Sequence, residues 1–276
     1  MRLRRRVLSI VCACTKVDVK STKAVSARYA VVRPVPDSYS HCVRTNVEEI
    51  DVELAKIQHA EYCEALKRLG LELIWVEEDN TLPDSCFVED TAVILGKKAV
   101  ICKTKVKSRA REVFGVAKVL ERLKQVRYIK KPAFIDGGDV LKIEDKVFVG
   151  LSDRTNVNAV GQIGRILKGS SLSVVPVRVR YVLHLKSACT YLGKDYVILS
   201  KRNFDTGILS GLRKIVVPKG EEYAADCLAV NGTVLVAKGY PRTKRLIEKE
   251  GFPVEELEMS EFRKGEGALT CLSIIW

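Results

Sequence analysis

The chain has 276 residues, of which 47% are apolar and 29% charged, a composition typical of a folded globular protein. No apolar run approaches the roughly 18 residues of a membrane-spanning helix. The nine cysteines include no C-x-x-C pair, which favours neither a disulfide framework nor a zinc site. These features exclude fibrous, collagen-like and helical membrane proteins, and they predict a protein of the reducing cytoplasm.

Much of the formal net charge of +13 lies in residues 1–26, where seven basic residues and one acidic residue give +6. The start, MRLRRRVLSIVCACT, resembles a charged leader with a short apolar segment, but it has no A-x-A cleavage site. We expect residues 1–26 to form a basic, disordered extension and residues 27–276 to form a single domain, with a targeting role for the extension as the alternative. Lysines elsewhere are scattered, as on a solvated surface, so no nucleic-acid partner is predicted.

A single β-rich run, AVVRPV at 30–35, is the first predicted element, and it has no hairpin partner of its own. A helix is predicted over 46–70, because Asn46 and Glu49 are spaced as a capping box and Gly70 provides a stop. Four apolar residues near helical spacing mark its expected buried face: Ile50, Leu54, Ile57 and Leu66.

Four hairpins follow, each written as two short β-rich runs joined by a tight polar turn. They cover 91–103, 139–150, 189–200 and 227–238, with shorter helical stretches at 108–124, 156–168 and 242–250. The turns are about 48, 49 and 37 residues apart, a spacing that indicates a repeat architecture. A last run, ALTCLSII at 268–275, again lacks a partner, so pairing it with the first run would close a ring of five units.

The residues just ahead of the first strand of successive hairpins carry reactive side chains. They are 89-ED-90, 136-DGGD-139 and 184-HLKS-187, with Cys271 at the matching place in the closing unit. Equivalent positions in a ring of repeats face a common axis. The pattern therefore predicts carboxylates, an imidazole and a thiol at one mouth, which nucleophilic catalysis by cysteine requires.

Each of these residues also has a structural interpretation. A free cysteine is usually a small core hydrophobe, aspartates beside glycines commonly form turns, His184 could fill a core position, and Glu89 and Asp90 could simply begin a strand. Together these structural interpretations are weaker than each is alone, since they require four independent coincidences at equivalent places in four repeats. The two other histidines, His41 and His59, are expected to be solvated.

Six segments resemble the dimethylarginine dimethylaminohydrolase family, within the guanidino-group-modifying superfamily: AVVRPVPDS, LPDSCFVEDTAVI, IDGGDVL, VFVGLSDRTN, LHLKS and LTCLS. The resemblance runs from about Arg28 to the C terminus. It implies the α/β pentein fold, a fivefold pseudosymmetric propeller of ββαβ repeats, as one catalytic domain. It implies no metal or other cofactor and a small guanidino compound as the partner, and it leaves monomer and homodimer open.

The resemblance also implies residue roles. Cys271 would be the nucleophile, His184 the general acid and base, and Asp136 the supporting carboxylate. Further residues would bind the substrate, three acids at its guanidinium and two arginines at its amino-acid carboxylate, with Lys186 beside them. These residues are Asp84, Glu89, Asp90, Arg109 and Arg154.

Lys186 helps to choose within the superfamily. Arginine deiminases and amidinotransferases have an aspartate two positions after the catalytic histidine, and this carboxylate would accept N–H bonds from an unmodified guanidinium. A dimethylated nitrogen has no N–H to give, so Lys186 favours methylated arginine, with citrulline and dimethylamine as products. The chain departs from relatives at Gly265, where an apolar residue is frequent, and at 36–44, which is expected to form a lid.

Two alternatives stay open. One is the same chemistry on arginine or another guanidino compound. The other is a binding module like the ribosome-binding propeller of the archaeal and eukaryotic anti-association initiation factor, which would suit a positive surface. That propeller lacks the cysteine, histidine and carboxylate set.

Overall fold

The computed structural model describes residues 26–276, which form five three-stranded sheets. The predicted basic extension, residues 1–26, lies outside the described residues apart from Ser26. In each sheet the central strand has an antiparallel neighbour on one side and a parallel neighbour on the other. Among residues 26–276, no helix is both long and apolar enough to span a membrane.

The four predicted hairpins are confirmed, each followed by a parallel third strand. The units are β3 (Ala92–Leu95), β4 (Lys98–Ile101) and β5 (Gln125–Tyr128); β6 (Val140–Ile143), β7 (Lys146–Leu151) and β8 (Ser173–Arg178); β9 (Cys189–Gly193), β10 (Tyr196–Leu199) and β11 (Arg213–Val216); and β12 (Leu228–Val230), β13 (Thr233–Ala237) and β14 (Val254–Leu257). The turn between β12 and β13 shows why these hairpins are tight, since Asn231 and Gly232 both have positive φ, 47° and 90°. Those are the residue types that such a two-residue turn favours.

The fifth sheet joins the two ends of the described chain, as predicted. β1 (Tyr29–Val32) lies between β2 (Glu72–Trp75) and β15 (Ile274–Ile275). Ala30 pairs with Ile275 and Val31 with Ile274 in an antiparallel ladder. This pairing closes the ring of five units.

Helices connect the hairpins to their third strands in three of the four complete units. They are α2 (Glu112–Leu120), α3 (Val157–Ile166) and α4 (Pro241–Lys249), while a short 3-10 turn (Thr206–Leu209) takes this place before β11. The long helix α1 (Val52–Arg68) connects β1 to β2, and α5 (Ser260–Lys264) precedes the closing strand.

The predicted start of α1 is wrong by several residues. The helix is capped by Asp51, whose carboxylate accepts the amide of Leu54 at 3.0 Å, and not by Asn46. The side chain of Asn46 instead accepts the amide of Glu48 in a local turn. Both are good capping residue types, so tertiary packing decides which one starts the helix.

The buried face of α1 is also rotated from the predicted one. Ile57 is 56% exposed, whereas His59 is only 4% exposed, so the prediction of a solvated His59 is wrong. The His59 ring packs beside the rings of Tyr62, Trp75 and Phe262. Burial in these apolar surroundings lowers the pKa of His59 to about 4.

The stretch 36–44, for which a lid is expected, is anchored through Tyr39 and Val43, and its action as a lid stays a prediction. Tyr39 is fully buried beside Phe87 and Phe262. The departure at Gly265 explains this packing, because a Cβ there would lie 2.3 Å from the Tyr39 hydroxyl oxygen. The amide of Val43 then binds the carboxylate of Asp84, at 3.1 and 3.2 Å from its two oxygens.

The apolar core is a chain of clusters that each join two neighbouring sheets. One cluster joins the β3–β5 sheet to the β6–β8 sheet, the next joins that sheet to β9–β11, and a third continues to β12–β14. Two further clusters join the closing sheet to its neighbours on either side. The five units therefore form a pentein-type α/β propeller, whose axis is where the starts of the hairpins meet.

Candidate active site

The reactive side chains lie immediately before the first strand of each unit. Short 3-10 turns carry half of them, namely Val88–Thr91, Gly137–Asp139 and Leu269–Leu272. The turn at Val88–Thr91 packs against both of the others. The side chains gathered here are Glu89, Asp90, Asp136, Asp139, His184, Lys186, Asp226 and Cys271.

The two glycines of 136-DGGD-139 are needed for close approach. A Cβ on Gly137 would lie 1.9 Å from the carbonyl oxygen of Glu89, and one on Gly138 would lie 2.6 Å from Nδ1 of His184. No side chain fits at either position. The glycines thus let the β6 unit lie directly against the acidic turn and the imidazole, which goes beyond the turn-forming interpretation.

His184 lies between two carboxylates. Its Nε2 is 3.3 Å from Oδ2 of Asp136 and 3.8 Å from Oδ1 of Asp90, and the ring is buried, with 3% exposed. Burial alone would lower the pKa of His184, but Asp90, together with Asp136 and Asp139, outweighs burial and raises it to about 9. The ring is therefore protonated at neutral pH, as an imidazolium that has a proton to donate.

Asp139 fixes the backbone next to His184. Its Oδ1 accepts the amide of Leu185 at 2.9 Å, and its Oδ2 accepts the hydroxyl of Ser152 at 2.6 Å. This fully buried carboxylate binds groups distant in sequence, so it does more than the turn-forming interpretation of 136–139 requires.

Arg109 and Arg154 balance the acids on the His184 side. The guanidinium of Arg109 is buried and pairs with Asp90 at 2.9 Å, with Glu112 at 3.0 Å and with Asp84 at 3.9 Å. Arg154 lies 3.3 Å from Oδ2 of Asp136 and is more accessible. The chain's own acids thus engage both arginines, and their binding of a substrate carboxylate stays a prediction.

The Cys271 side of the site has a different charge balance. The thiol lies in the turn before β15, where Sγ accepts the amide of Ala268 at 3.4 Å. Burial raises its pKa well above the ordinary value, and the charges of Asp226, Glu89 and Asp90 add to this. Lys186 pairs with Glu89, whose other oxygen accepts the hydroxyl of Thr270 at 2.9 Å. Burial and these charges therefore favour the neutral thiol over the thiolate.

The sequence reasoning missed Asp226 and Glu112. Asp226 directly precedes the hairpin at 227–238. The other four positions were predicted because they stand at this same place in their units, so the sequence also contained the signal for Asp226. Glu112 gave no such signal, since it begins α2 and reaches the site only through Arg109. Burial raises the pKa of Glu112 to about 7.

All nine predicted site residues lie in one connected region. Asp84 lies at its edge, between Arg109 and the amide of Val43. Asp90, Asp136 and His184 bring potential ligand atoms within 4.8 Å of one another, the spacing of a metal site. These same atoms are already paired with each other and with the two arginines, which gives the cluster a charge balance of its own.

The arginine deiminase family model matches residues 79–213. A dimethylarginine dimethylaminohydrolase from Pseudomonas aeruginosa is 32% identical to the chain over 81% of this chain and 89% of the relative. One from Streptomyces coelicolor is 36% identical over 90% of this chain and 96% of the relative.

A solved structure agrees with these matches. The dimethylarginine dimethylaminohydrolase of Pseudomonas aeruginosa, complexed with citrulline, superposes with a TM-score of 0.88 and 29% identity, covering 91% of this chain and all of that one. The hairpin units, the thiol and imidazole at the axis and these matches lead to one conclusion. The chain belongs to the dimethylarginine dimethylaminohydrolase family, whose members are hydrolases of amidine C–N bonds.

Proposed function

We propose that this protein hydrolyses N-methylated arginine, with dimethylarginine as the preferred substrate, to citrulline and a methylamine. The observation that supports this most directly is the axial site, where a neutral thiol and a protonated imidazole lie among buried carboxylates. The similarity to two dimethylarginine dimethylaminohydrolases over most of their length supports the same reaction.

In this proposal the carboxylates bind the substrate. A guanidinium is a planar cation, and charge-assisted hydrogen bonds to Glu89 and Asp90 would hold and orient it. Asp84, at the edge of the site, extends the negative surface. We assign the amino-acid carboxylate of the substrate to Arg154, the more accessible arginine, with Arg109 behind it.

The bound cation then changes the ionisation of Cys271. The negative charges that help to raise the pKa of the thiol are the ones a guanidinium would neutralise. Binding therefore favours the thiolate only when there is a substrate to attack. The thiol proton passes to water, the sulfur forms a bond to the guanidinium carbon, and the C–N π electrons move to nitrogen, giving a neutral tetrahedral adduct.

His184 completes both halves of the reaction. As the C–N bond breaks, the leaving amine takes the bonding electron pair and a proton from the imidazolium, and a thiouronium remains on Cys271. Neutral His184 next accepts a proton from water while the hydroxyl attacks the same carbon. The C–S bond then breaks with its electron pair on the sulfur, and the hydroxyl proton moves to that sulfur, which restores the thiol and leaves the ureido group of citrulline. Asp136 holds the ring in place throughout.

Lys186 supports the choice of a methylated substrate. Its ammonium pairs with Glu89 at the place where deiminases have an acceptor for N–H groups. A dimethylated nitrogen needs no acceptor there. The match to the arginine deiminase family model keeps arginine as the second candidate substrate. Citrulline release from dimethylarginine, monomethylarginine and arginine, measured side by side, decides between them.

The critical experiment is Cys271→Ser, with Cys189→Ser as the control because it changes a buried thiol of the core. A serine hydroxyl has a far higher pKa than a thiol, so we expect Cys271→Ser to abolish citrulline formation and Cys189→Ser to retain it. Acid-quenched wild-type enzyme should carry the added mass on the peptide with Cys271. An active Cys271→Ser enzyme, or an adduct on Cys189 or Cys227, would contradict the proposal.

We further propose that residues 27–276 act as one catalytic domain and that the protein works in the cytoplasm. All seven described cysteines are free thiols, which suits a reducing compartment. The ribosome-binding alternative has less support, because the complete set of thiol, imidazole and carboxylates is assembled here.

A further inference from the structure

One hydroxyl group joins the turn that carries Cys271 to the turn that carries Glu89. Thr270 directly precedes Cys271 in the turn Leu269–Leu272, and its hydroxyl donates to Oε2 of Glu89 at 2.9 Å. Both side chains are buried. A hydrogen bond to an ionised acceptor is about twice as strong as one between neutral groups. This bond therefore fixes the Glu89 carboxylate relative to the backbone next to the thiol.

The backbones of the two turns are already fitted closely to each other. The turn Val88–Thr91 packs on the turn Leu269–Leu272. Just before these turns, Gly267 faces the ring of Phe87, and a Cβ on the glycine would lie 2.3 Å from a ring carbon. The main remaining freedom lies in the side-chain torsions of Glu89. The hydrogen bond from Thr270 acts on that freedom.

Both carboxylate oxygens of Glu89 are held by the chain. The ammonium of Lys186 donates to Oε1, and the hydroxyl of Thr270 donates to Oε2. An ionised carboxylate has about four lone-pair sites, so each oxygen keeps a site for a further donor. A guanidinium offers parallel N–H groups that suit a carboxylate. The two donors thus orient the carboxylate of Glu89 and leave it able to bind a guanidinium.

Of these two donors, Thr270 is the one that relates Glu89 to the nucleophile. Lys186 belongs to a different unit and lies two positions after His184. Its bond therefore relates Glu89 to the segment of the imidazole. Thr270 shares a peptide bond with Cys271. One hydrogen bond and one peptide unit thus set where a guanidinium bound by Glu89 lies relative to the sulfur.

We infer that Thr270 is a positioning residue: its hydroxyl orients Glu89 so that the bound guanidinium presents its central carbon to the sulfur of Cys271. Attack requires the reacting atoms to lie about 3–3.5 Å apart and aligned, and a misplacement of about 1 Å can cost about 10²-fold in rate. The inference rests on the proposed function, in which Glu89 binds the guanidinium and Cys271 attacks it.

Asp226 is a second acid beside the Thr270 hydroxyl. Burial, with the nearby charge of Glu89, raises the pKa of Asp226 to about 7, while Thr270 and Lys186 act in the opposite direction. A hydroxyl has one proton to donate. Among residues 26–276, the hydroxyl of Thr270 has hydrogen-bond geometry with the carboxylate of Glu89 and not with that of Asp226. Asp226 is therefore the competing acceptor that the experiment has to separate from Glu89.

Three variants test the hydroxyl. Thr270→Val removes it at nearly constant shape, and Thr270→Ser keeps it. Thr243→Val is the matched control, because Thr243 is a fully buried threonine on α4 whose hydroxyl donates to Glu221 at 2.7 Å, outside the site. With dimethylarginine we expect Thr270→Val to lower kcat about tenfold or more, with KM changed less than about threefold because Glu89 keeps its charge. Thr270→Ser and Thr243→Val should stay within about threefold of wild type in both constants.

A second measurement needs no turnover. Chloroacetamidine carries a planar amidinium that resembles a guanidinium, and chloroacetamide is its neutral counterpart. Each alkylates a thiol: the C–S bond forms, chloride leaves with the electron pair of the C–Cl bond, and the thiol proton passes to water. We expect Thr270→Val to slow alkylation of Cys271 by chloroacetamidine about tenfold, and to leave the rate with chloroacetamide within about twofold, because only the amidinium depends on Glu89.

The other outcomes overturn the inference. Equal slowing with both reagents would show that Thr270 holds Cys271 itself, and a raised KM with unchanged kcat would make it a binding contact. A Thr270→Ser enzyme as slow as Thr270→Val would assign the effect to the methyl group. If Thr270→Val causes no loss in an Asp226→Asn background, the hydroxyl acts through Asp226.

Thr270→Ala, compared with Thr270→Ser, repeats the measurements if the valine variant does not fold. If wild type releases no citrulline from any guanidino compound, the proposed function fails, whereas equal slowing with the two reagents overturns the inference alone.

Discussion

His59 and His184 are buried to nearly the same extent, 4% and 3% exposed, in two different regions of the molecule. His59 lies on α1 among aromatic rings, and burial lowers its pKa to about 4. His184 lies at the axis among carboxylates, and its pKa is raised to about 9. Burial of an imidazole therefore does not decide its charge; the acids that accompany it do. The aromatic packing around His59 keeps one ring neutral, and the acids at the axis keep the other charged.

The largest difference should appear when both histidines are changed in the same way. We expect His184→Leu to lower kcat by at least about 10³, within the range attributed to general acid and base catalysis, whereas His59→Leu should keep turnover within about twofold. Citrulline formation per folded molecule, with folding checked by circular dichroism, measures both. A His184→Leu enzyme with kcat within tenfold of wild type would contradict the assignment of the two rings to different roles.

The two rings should also give opposite pH dependences of stability. In the unfolded chain both have a pKa near 6.5. Between pH 6.5 and 9 the folded state keeps the His184 proton that the unfolded state loses, so this stabilisation is complete below 6.5 and is lost as pH rises through 9. Between pH 6.5 and 4 the unfolded state binds a proton that folded His59 does not. The free energy of unfolding therefore falls as pH falls through this range.

Each window is worth about 3 kcal/mol, from ~1.4 kcal/mol per pKa unit. Urea unfolding across pH 4–9 should show that His59→Leu flattens the acid limb alone and His184→Leu the alkaline limb alone. Other acids contribute to the wild-type curve, so the difference between variant and wild type is the quantity to compare. Parallel curves for the two variants would show that the rings do not titrate as described.

The smallest expected effect is on stability alone and concerns the cap of α1. Asp51→Ala removes the cap of α1, the helix that carries His59, and should lower the free energy of unfolding by ~1 kcal/mol. Asn46→Ala is the control, because Asn46 was the predicted cap and is not the actual one. Thermal unfolding should distinguish the two variants while citrulline turnover stays unchanged in both. An equal loss of stability in Asn46→Ala would contradict the assignment of Asp51 as the cap of α1.

The hairpins, the ring closure and the axial positions could be predicted because each depends on local patterns that repeat along the chain. The repeat also contained Asp226, which was overlooked although it stands at the same place as the other axial residues. Partners could not be predicted in this way. Glu112 lies only three residues after Arg109, a local spacing, but nothing local to Arg109 says that it also pairs with Asp90 and Asp84, since those acids come from different turns.

His59 shows the same limit. Its helix has more than one apolar face in sequence, and only the rings of Trp75 and Phe262, contributed by other elements, determine which face is buried. The start of α1 was wrong for a related reason, since Asp51 also uses its amide to bind the carboxylate of Glu261 at 2.8 Å. Long-range contacts of this kind leave no trace in local spacing.

The pairing of β1 with β15 has a consequence for the order in which the protein assembles. The two strands are about 240 residues apart in sequence, and Cys271 lies just before the second of them. Contacts of such long range form late and slowly, because the whole intervening chain must first be arranged. We therefore expect the carboxylates and the imidazole to gather while the ring is still open. On that order of events, Cys271 joins them in the same step that completes the fold.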